Sequence, residues 1–517
     1  MVLAAVLLAP FLNTAFTIDD PIYLREAQQV LEDPLHPQAF NMVWSLDRDL
    51  RASQILPGGI FVPYLLVPTA LARSREWVGH LTELLLLLAA LFVTALTALR
   101  LGLDHGQARL TALLVAACPA VLGMAGTVMP DVPAMLLATL GMERIIVWRE
   151  QRRWSQGLAA ACWLTLAALT RTHTIVILAA AFVMLLDGIT AEELRASFRR
   201  FPARFLPIVL TPVAFLTVST VTGDQDTGER IFLPMLRAFG SLHLFAQNGL
   251  AFLTDWLLVI PLTIPWLAMR FSRIPGWLPL FGLIGASVLS YRVGWVAFAA
   301  GASCVALADI LWDAIERRDR VQLALWVWLL LAMPVIIYVH LPSKYLLPSV
   351  PAAAILVVRA MPEAQRAVTR WLMPAVVAAG VVLGFLILIG IRDLAETQRR
   401  AVVELIDPQI KTGEQVWFAG HWGFQWYAEK AGAKAVTLEP PLPQFGDVIV
   451  VSEIDFPFFE QRWTRKRVQK RLCYASTPWG RVMDFEGHAG FFSSPFGYLP
   501  WVWGSGEASC FEVWKVE

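Results

Sequence analysis

Apolar residues in this chain run in long blocks, not in the strict alternation of a strand or the one-sided stripe of a surface helix. Blocks of roughly 15 to 20 residues recur between short polar turns, and about 20 mostly apolar residues are needed for a helix to cross ~30 Å of hydrocarbon. The pattern predicts membrane-spanning helices near residues 2–17, 82–99, 110–127, 132–148, 157–170, 174–187, 205–221, 250–268, 275–290, 294–311, 321–339, 345–360 and 371–391, thirteen in all. The first block is short enough to be a signal peptide. It lacks a basic leading region and a small-x-small cleavage site, which favours a span. The missing basic flank also leaves open a start upstream of Met1.

Beyond residue 391 the pattern changes. Segments near 414–420, 447–453 and 510–516 read as strands, separated by helical or Pro/Gly-rich connections. The chain thus divides into a helical membrane module, 1–391, with a long polar loop at 18–81, and a small soluble α/β domain, 392–517. Composition agrees. Of 517 residues 57% are hydrophobic and 16% charged, far from the balance of soluble domains, and the 21 Trp and 29 Phe suit lipid interfaces. The same figures exclude a disordered chain, a coiled coil and a disulfide-dense module. A net charge of +1 gives no reason to expect nucleic-acid binding.

Orientation follows from the basic residues of the short turns. The turns after every second span hold 18 Arg, including Arg144, Arg149, Arg317 and Arg359, against 5 basic residues in the other set. The first set is therefore expected in the cytoplasm. The loop 18–81 and the C-terminal domain are then extracytoplasmic, as in a multi-pass protein of a bacterial plasma membrane. Cys473 and Cys510 share that oxidising side, where a disulfide between them is open to test.

Charge at the membrane edge is expensive, so each such residue raises a functional question. Asp19 and Asp20 follow the first span in Thr17-Ile18-Asp19-Asp20-Pro21-Ile22-Tyr23, as a base with its neighbour, a cation site, or an acidic helix cap before Pro21. Asp131 stands in Met129-Pro130-Asp131-Val132-Pro133, either in a site or as a cap. Lys344 is the only lysine in the first 400 residues, in His340-Leu341-Pro342-Ser343-Lys344-Tyr345. It is a point charge suited to phosphate or a side chain snorkelling at a helix end. Arg171 and His173 form another polar turn on the same face, where a guanidinium could hold phosphate. His340 is ambiguous and is not read as a metal ligand. Gly420–Gln425 could face a sugar or pack the domain onto the membrane part. No metal-ligand spacing, P-loop, nucleophile elbow or dinucleotide loop is visible.

Taken in order, these residues resemble a family. One span, then Asp19-Asp20 with Tyr23 and Glu26, a long loop, a Pro130-Asp131 turn, a Leu169-Thr170-Arg171 turn and Lys344-Tyr345-Leu346-Leu347-Pro348 are similar to the protein O-mannosyltransferase and aminoarabinose-transferase branch of the GT-C membrane glycosyltransferases. The resemblance covers about residues 1–390. It implies a hexosyl or pentosyl transferase that takes a sugar from a polyprenyl-phosphate donor to an acceptor on the external side. No cofactor is expected, and a divalent cation is open but not called for, because Lys and Arg can stabilise the leaving phosphate. Asp19 would match the general base, Asp20 its neighbour and Asp131 a second acid of the site. Lys344, with Tyr345 beside it and Arg171 assisting, would face the donor phosphate. Many relatives carry His-Pro-Pro in the first loop, whereas this chain has Gln54-Ile55-Leu56-Pro57-Gly58-Gly59, so neither sugar nor acceptor carries over. The rival readings are a transporter or flippase of lipid-linked sugars, which would place its site near the bilayer midplane, and a non-catalytic sensor. They separate on whether Asp19, Asp20, Asp131 and Lys344 line one external cavity.

Overall fold

The computed structural model describes all residues except 45–46, 57, 189–200, 223–241, 272, 275–294, 339, 362–365 and 455–465. Four helices, Glu76–Arg100, Val296–Glu316, Arg320–Ile337 and Thr369–Lys411, are long and apolar enough to cross a membrane. Two bent pairs, at 60° and 65°, raise that to six. This is a multi-pass membrane protein. The predicted block 275–290 lies outside the described residues, block 2–17 is helical only over Val2–Phe11, and the other blocks overlap helix. The described residues do not, however, hold a row of straight uniform spans. Many of the blocks are short, bent or charged.

The causes are local. Pro119 cannot continue the helix His105–Ala116, and Cys118 before it is extended, so the chain turns by 60° into Pro119–Ala125. Asp104 caps the first of these helices in a reciprocal box with Gln107. Asp131–Gln151 is buried on nearly every side and forms the centre of the bundle, and its buried Glu143 is paired with Arg100 and Arg144. Helix Arg366–Ala401 crosses the broken pair closely. A Cβ at Gly380 would come within 2.3 Å of the Ala117 carbonyl oxygen, so only glycine allows this approach.

At the ends of the helices expected in the cytoplasm, arginines pair with acids, as in Arg359–Asp319 at 2.7 Å, Arg149–Asp187 at 2.8 Å and Arg270–Asp313 at 2.7 Å. The opposite ends meet the C-terminal domain. Strands are numbered in chain order: a hairpin of β1 (Asn41–Trp44) and β2 (Asp47–Arg51) in the long loop, then β3 (Val416–Ala419), β4 (Lys434–Ala435), β5 (Val448–Ser452), β6 (Lys466–Ala475), β7 (Met483–Asp484), β8 (Ala489–Gly490) and β9 (Glu507–Val516). The main sheet runs β4-β3-β5-β9-β6, parallel across β4, β3 and β5 and antiparallel beyond. The three expected strands are β3, β5 and β9. β5 is buried along its whole length, as a central strand covered on both faces must be. On β6 and β9, Cys473 and Cys510 stand directly opposite and form a disulfide.

The last long helix runs past residue 391 into this domain, and between β6 and β9 the chain returns to the helices. Phe491 and Phe492 are fully buried in the core of the membrane part. Gly423 lies so close to Phe16 that a Cβ would come within 2.1 Å of its carbonyl oxygen, and Tyr427 Oη accepts the Phe16 N–H at 2.9 Å. The Gly420–Gln425 stretch therefore packs the domain onto the helices.

Candidate functional site

Three of the four turns assigned by the sequence to one face line a cavity of about 450 Å³, with Asp19, Tyr23, Arg171, His173, Tyr338, His340, Lys344 and Tyr345 among its residues, and the turn carrying Asp131 stands behind it. Its geometry begins at the first turn. Asp19 sits at the start of helix Asp20–Glu32, where an aspartate would ordinarily cap, yet its side chain makes no cap bond. It reaches instead across the fold to Lys344, with Nζ donating to Oδ2 at 3.2 Å. The lysine is not a snorkelling side chain, since only 3% of it is exposed. Met129 Sδ at 3.8 Å and the Phe492 ring at 6.0 Å complete its surroundings.

Asp20 turns the other way. It is fully buried, does not line the cavity, and accepts the N–H groups of Thr17 at 3.0 Å and Val128 at 2.9 Å. Burial pushes its carboxyl up to about 7 against the pull of those two donors. Its bond to Val128 ties the first turn to the segment leading into Asp131.

Asp131 is not a cap either. It begins helix Asp131–Gln151 without a side-chain cap bond and takes Arg171 in a two-pronged pair, Nε to Oδ1 at 3.1 Å and Nη2 to Oδ2 at 2.8 Å. Asp131 lies behind the cavity wall. Arg171 lines the cavity, with its guanidinium carbon 4.9 Å from the centre of the Tyr345 ring. His173 Nε2 donates to the Tyr345 carbonyl oxygen at 3.1 Å, and His340 Nε2 lies 3.1 Å from the Tyr345 hydroxyl. Burial, with the Lys344 charge beside it, holds His340 down at about 4, so the ring is neutral at pH 7. Of the expected set, Asp19, Lys344, Arg171 and Tyr345 share the cavity, and Asp20 and Asp131 stand directly behind it.

Several contributors had no clear signal in the sequence. Gly58 and Gly59 hold φ of +109° and +74°, and a Cβ at either would press on Thr172 or Tyr23, so this loop closes over the cavity only with glycine. Gln38 pins the loop by donating to Glu26 Oε1 at 2.9 Å and to the carbonyl oxygens of Leu56 and Gly58, both at 3.1 Å. The C-terminal domain braces the turn that carries Lys344. Ser494 Oγ donates to Asn248 Oδ1 at 2.7 Å and accepts the Leu341 N–H at 2.9 Å, while Ser493 Oγ lies 3.3 Å from His340 Nδ1. A pair of serines inside the aromatic run Phe491–Tyr498 was the one available hint.

No family model matches this sequence, and neither does any curated protein. Among solved structures, ArnT from Cupriavidus metallidurans in the apo state aligns over 90% of this chain and 94% of its own, with a TM-score of 0.51 at 12% identity. The chain has the ArnT fold. The same protein bound to undecaprenyl phosphate aligns at a TM-score of 0.49 and 13% identity, covering 91% of this chain and 95% of that one. The apo oligosaccharyltransferase from Archaeoglobus fulgidus aligns at 0.45 and 12%, covering 84% and 64%. ArnT is a GT-C membrane glycosyltransferase, so the ArnT-like architecture agrees with the family resemblance carried by the order of motifs.

Proposed function

We propose that this protein is a glycosyltransferase that moves a sugar from a polyprenyl-phosphate donor to an acceptor at the extracytoplasmic face of a bacterial plasma membrane. The observation that carries the reading is the convergence of Asp19, Lys344 and Arg171 on one cavity at the loop ends of the helices. Two cations there suit a phosphate, and a carboxylate beside them suits proton removal. ArnT has been solved with undecaprenyl phosphate bound, a lipid of the class this arrangement would take.

In the reaction, Asp19 takes the proton of an acceptor hydroxyl or amine as the oxygen or nitrogen attacks the anomeric carbon. The bond from that carbon to the phosphate oxygen breaks, and its electron pair leaves with the polyprenyl phosphate. Lys344 and Arg171 stabilise the negative charge that grows there. Asp131 holds the Arg171 fork in place, and Asp20 fixes the backbone that presents Asp19. A neighbouring groove of about 530 Å³, lined by apolar residues such as Ile60, Leu166, Leu169 and Leu210, suits the isoprenoid chain. It adjoins the polar cavity, because Gly59 and Thr170 line one and their chain neighbours Ile60 and Leu169 line the other.

A transporter of lipid-linked sugars would hold its charged groups near mid-membrane between broken helices. Here the cavity's charges belong to turns at the helix ends, which favours transfer. The test is conversion by the purified protein in detergent of a polyprenyl-phosphate sugar to free polyprenyl phosphate, with products of a deletion strain followed by mass spectrometry. Movement of lipid-linked sugar across vesicles without bond cleavage would replace this reading with the transport one.

A further inference from the structure

The two ion pairs of the site are built differently, and on the function proposed above the difference assigns them different parts. Arg171 and Asp131 are joined by two bonds, with the side chains 12% and 1% exposed. Lys344 and Asp19 share a single contact, and Asp19, 17% exposed, opens onto the cavity. Among the described residues Asp19 has no other side-chain partner, and Lys344 has no other oxygen acceptor. The backbone under Asp19 is meanwhile fixed by the two bonds to Asp20, so Asp19 is free to move by side-chain rotation alone.

We propose that Asp19 occupies, in the donor-free protein, the place on Lys344 that the donor phosphate takes, so that donor binding itself uncovers the general base. With the site empty, Lys344, Arg171, Asp19 and Asp131 sum to zero charge. A sugar phosphodiester brings one negative charge into a cavity whose exchangeable cation is covered by a carboxylate. It must displace Asp19 to reach the ammonium. The released carboxylate then has both oxygens available for the acceptor proton, and the acceptor is activated only when a donor is in place. After transfer the balance reverses. Asp19 carries the acceptor proton, the phosphate has gained the electron pair of the broken bond, and Lys344 belongs to the product. Once Asp19 passes its proton to water it competes again for Lys344, which favours product release.

The test is unusual in sign. Loss of a general base ordinarily leaves ligand affinity alone, whereas loss of a competing carboxylate increases it. Binding of polyprenyl monophosphate to the purified full-length protein is measured for wild type, Asp19→Asn, Lys344→Gln and the double variant, with transfer from a polyprenyl-phosphate sugar in parallel. Asp19→Asn should bind the monophosphate roughly three- to thirtyfold more tightly while losing transfer, as expected when one charge-assisted contact no longer competes. In the Lys344→Gln background the same change should leave affinity unaltered. If Asp19→Asn binds equally or more weakly, the competition is refuted, even though loss of transfer would still support Asp19 as the base. If wild type neither binds nor transfers, the functional reading itself fails. Should Asp19→Asn not fold, Asp19→Ser removes the same charge and is judged by the same two outcomes.

Discussion

Asp19 and Asp131 begin alike and end differently. Each stands within two residues of a proline at the start of a helix, each looks like a cap, and each is paired with a basic residue from a distant turn. Asp131 meets a planar fork that matches both its oxygens and is sealed from water. Asp19 meets a single ammonium at the rim of a cavity. The difference lies in the cation as much as in the acid. A guanidinium fixes orientation with two parallel bonds, while an ammonium holds a partner without fixing its angle and can exchange it. One pair builds the wall, and the other is placed to take part in chemistry.

Removing one partner of the closed pair should have the largest effect. Asp131→Ala leaves a buried guanidinium without its counter-charge and should cost about 3–5 kcal/mol of stability, read as loss of folded protein in detergent size-exclusion and thermal unfolding. A stable, active Asp131→Ala would place Asp131 outside the architecture of the site. Asp19→Asn is the counterpart at the open pair. Transfer should fall roughly a hundredfold or more, with a smaller loss of melting temperature than in Asp131→Ala because asparagine still offers Lys344 an oxygen, so the two aspartates separate on stability against activity.

Lys344 sharpens the same contrast from the other side. Lys344→Gln should weaken donor affinity and turnover together, and Lys344→Arg should retain more of both, because charge is kept but geometry is not. Normal kinetics in Lys344→Gln would move the phosphate to Arg171. A smaller effect is expected at Ser494, whose two bonds steady the loop carrying Lys344 from the C-terminal domain. Ser494→Ala should cost about 1 kcal/mol and raise the donor KM several-fold with little change in kcat. An unchanged KM would make the contact purely structural.

The smallest effect concerns Asp20 and pH. In the folded chain its carboxyl keeps a proton up to about pH 7, whereas its ordinary value is 3.8. The folded state therefore binds the extra proton between those values. The contribution of Asp20 to stability is complete below about pH 4 and is lost as pH rises through about 7. Wild type should accordingly lose more thermal stability between acidic and mildly alkaline buffer than Asp20→Asn does. Parallel pH dependence in the two would show that the buried carboxyl is ionised throughout.

Much of the architecture was legible along the chain because lipid imposes a simple rule on composition. Blocks of apolar residues became helices, and the basic turns separated from the turns that form the site. The runs of Val and Ile with Trp and Phe became β3, β5 and β9. β6 escaped notice for a physical reason. It is an edge strand with five successive exposed residues from Arg467 to Arg471, so it has no buried face to impose an alternating pattern. The bends at Pro119 and near Pro261 were also hidden, because hydropathy averages across a break that backbone geometry does not tolerate.

The order of apolar and charged residues sufficed to establish a multi-pass membrane protein with a C-terminal sheet domain, and to place the acids and cations of the site in turns of the same face. These properties follow from transfer free energy and charge, which are nearly additive along a chain. Packing in three dimensions was needed to turn Asp19 to the cavity and Asp20 away from it, and to make Asp131 clamp Arg171 instead of capping its helix. It alone brought Ser493 and Ser494 to a turn some 150 residues earlier in the chain. Which partner a buried charge finds depends on the directions of a few bonds in three dimensions, and neighbouring residues with identical side chains carry no record of those directions in their order.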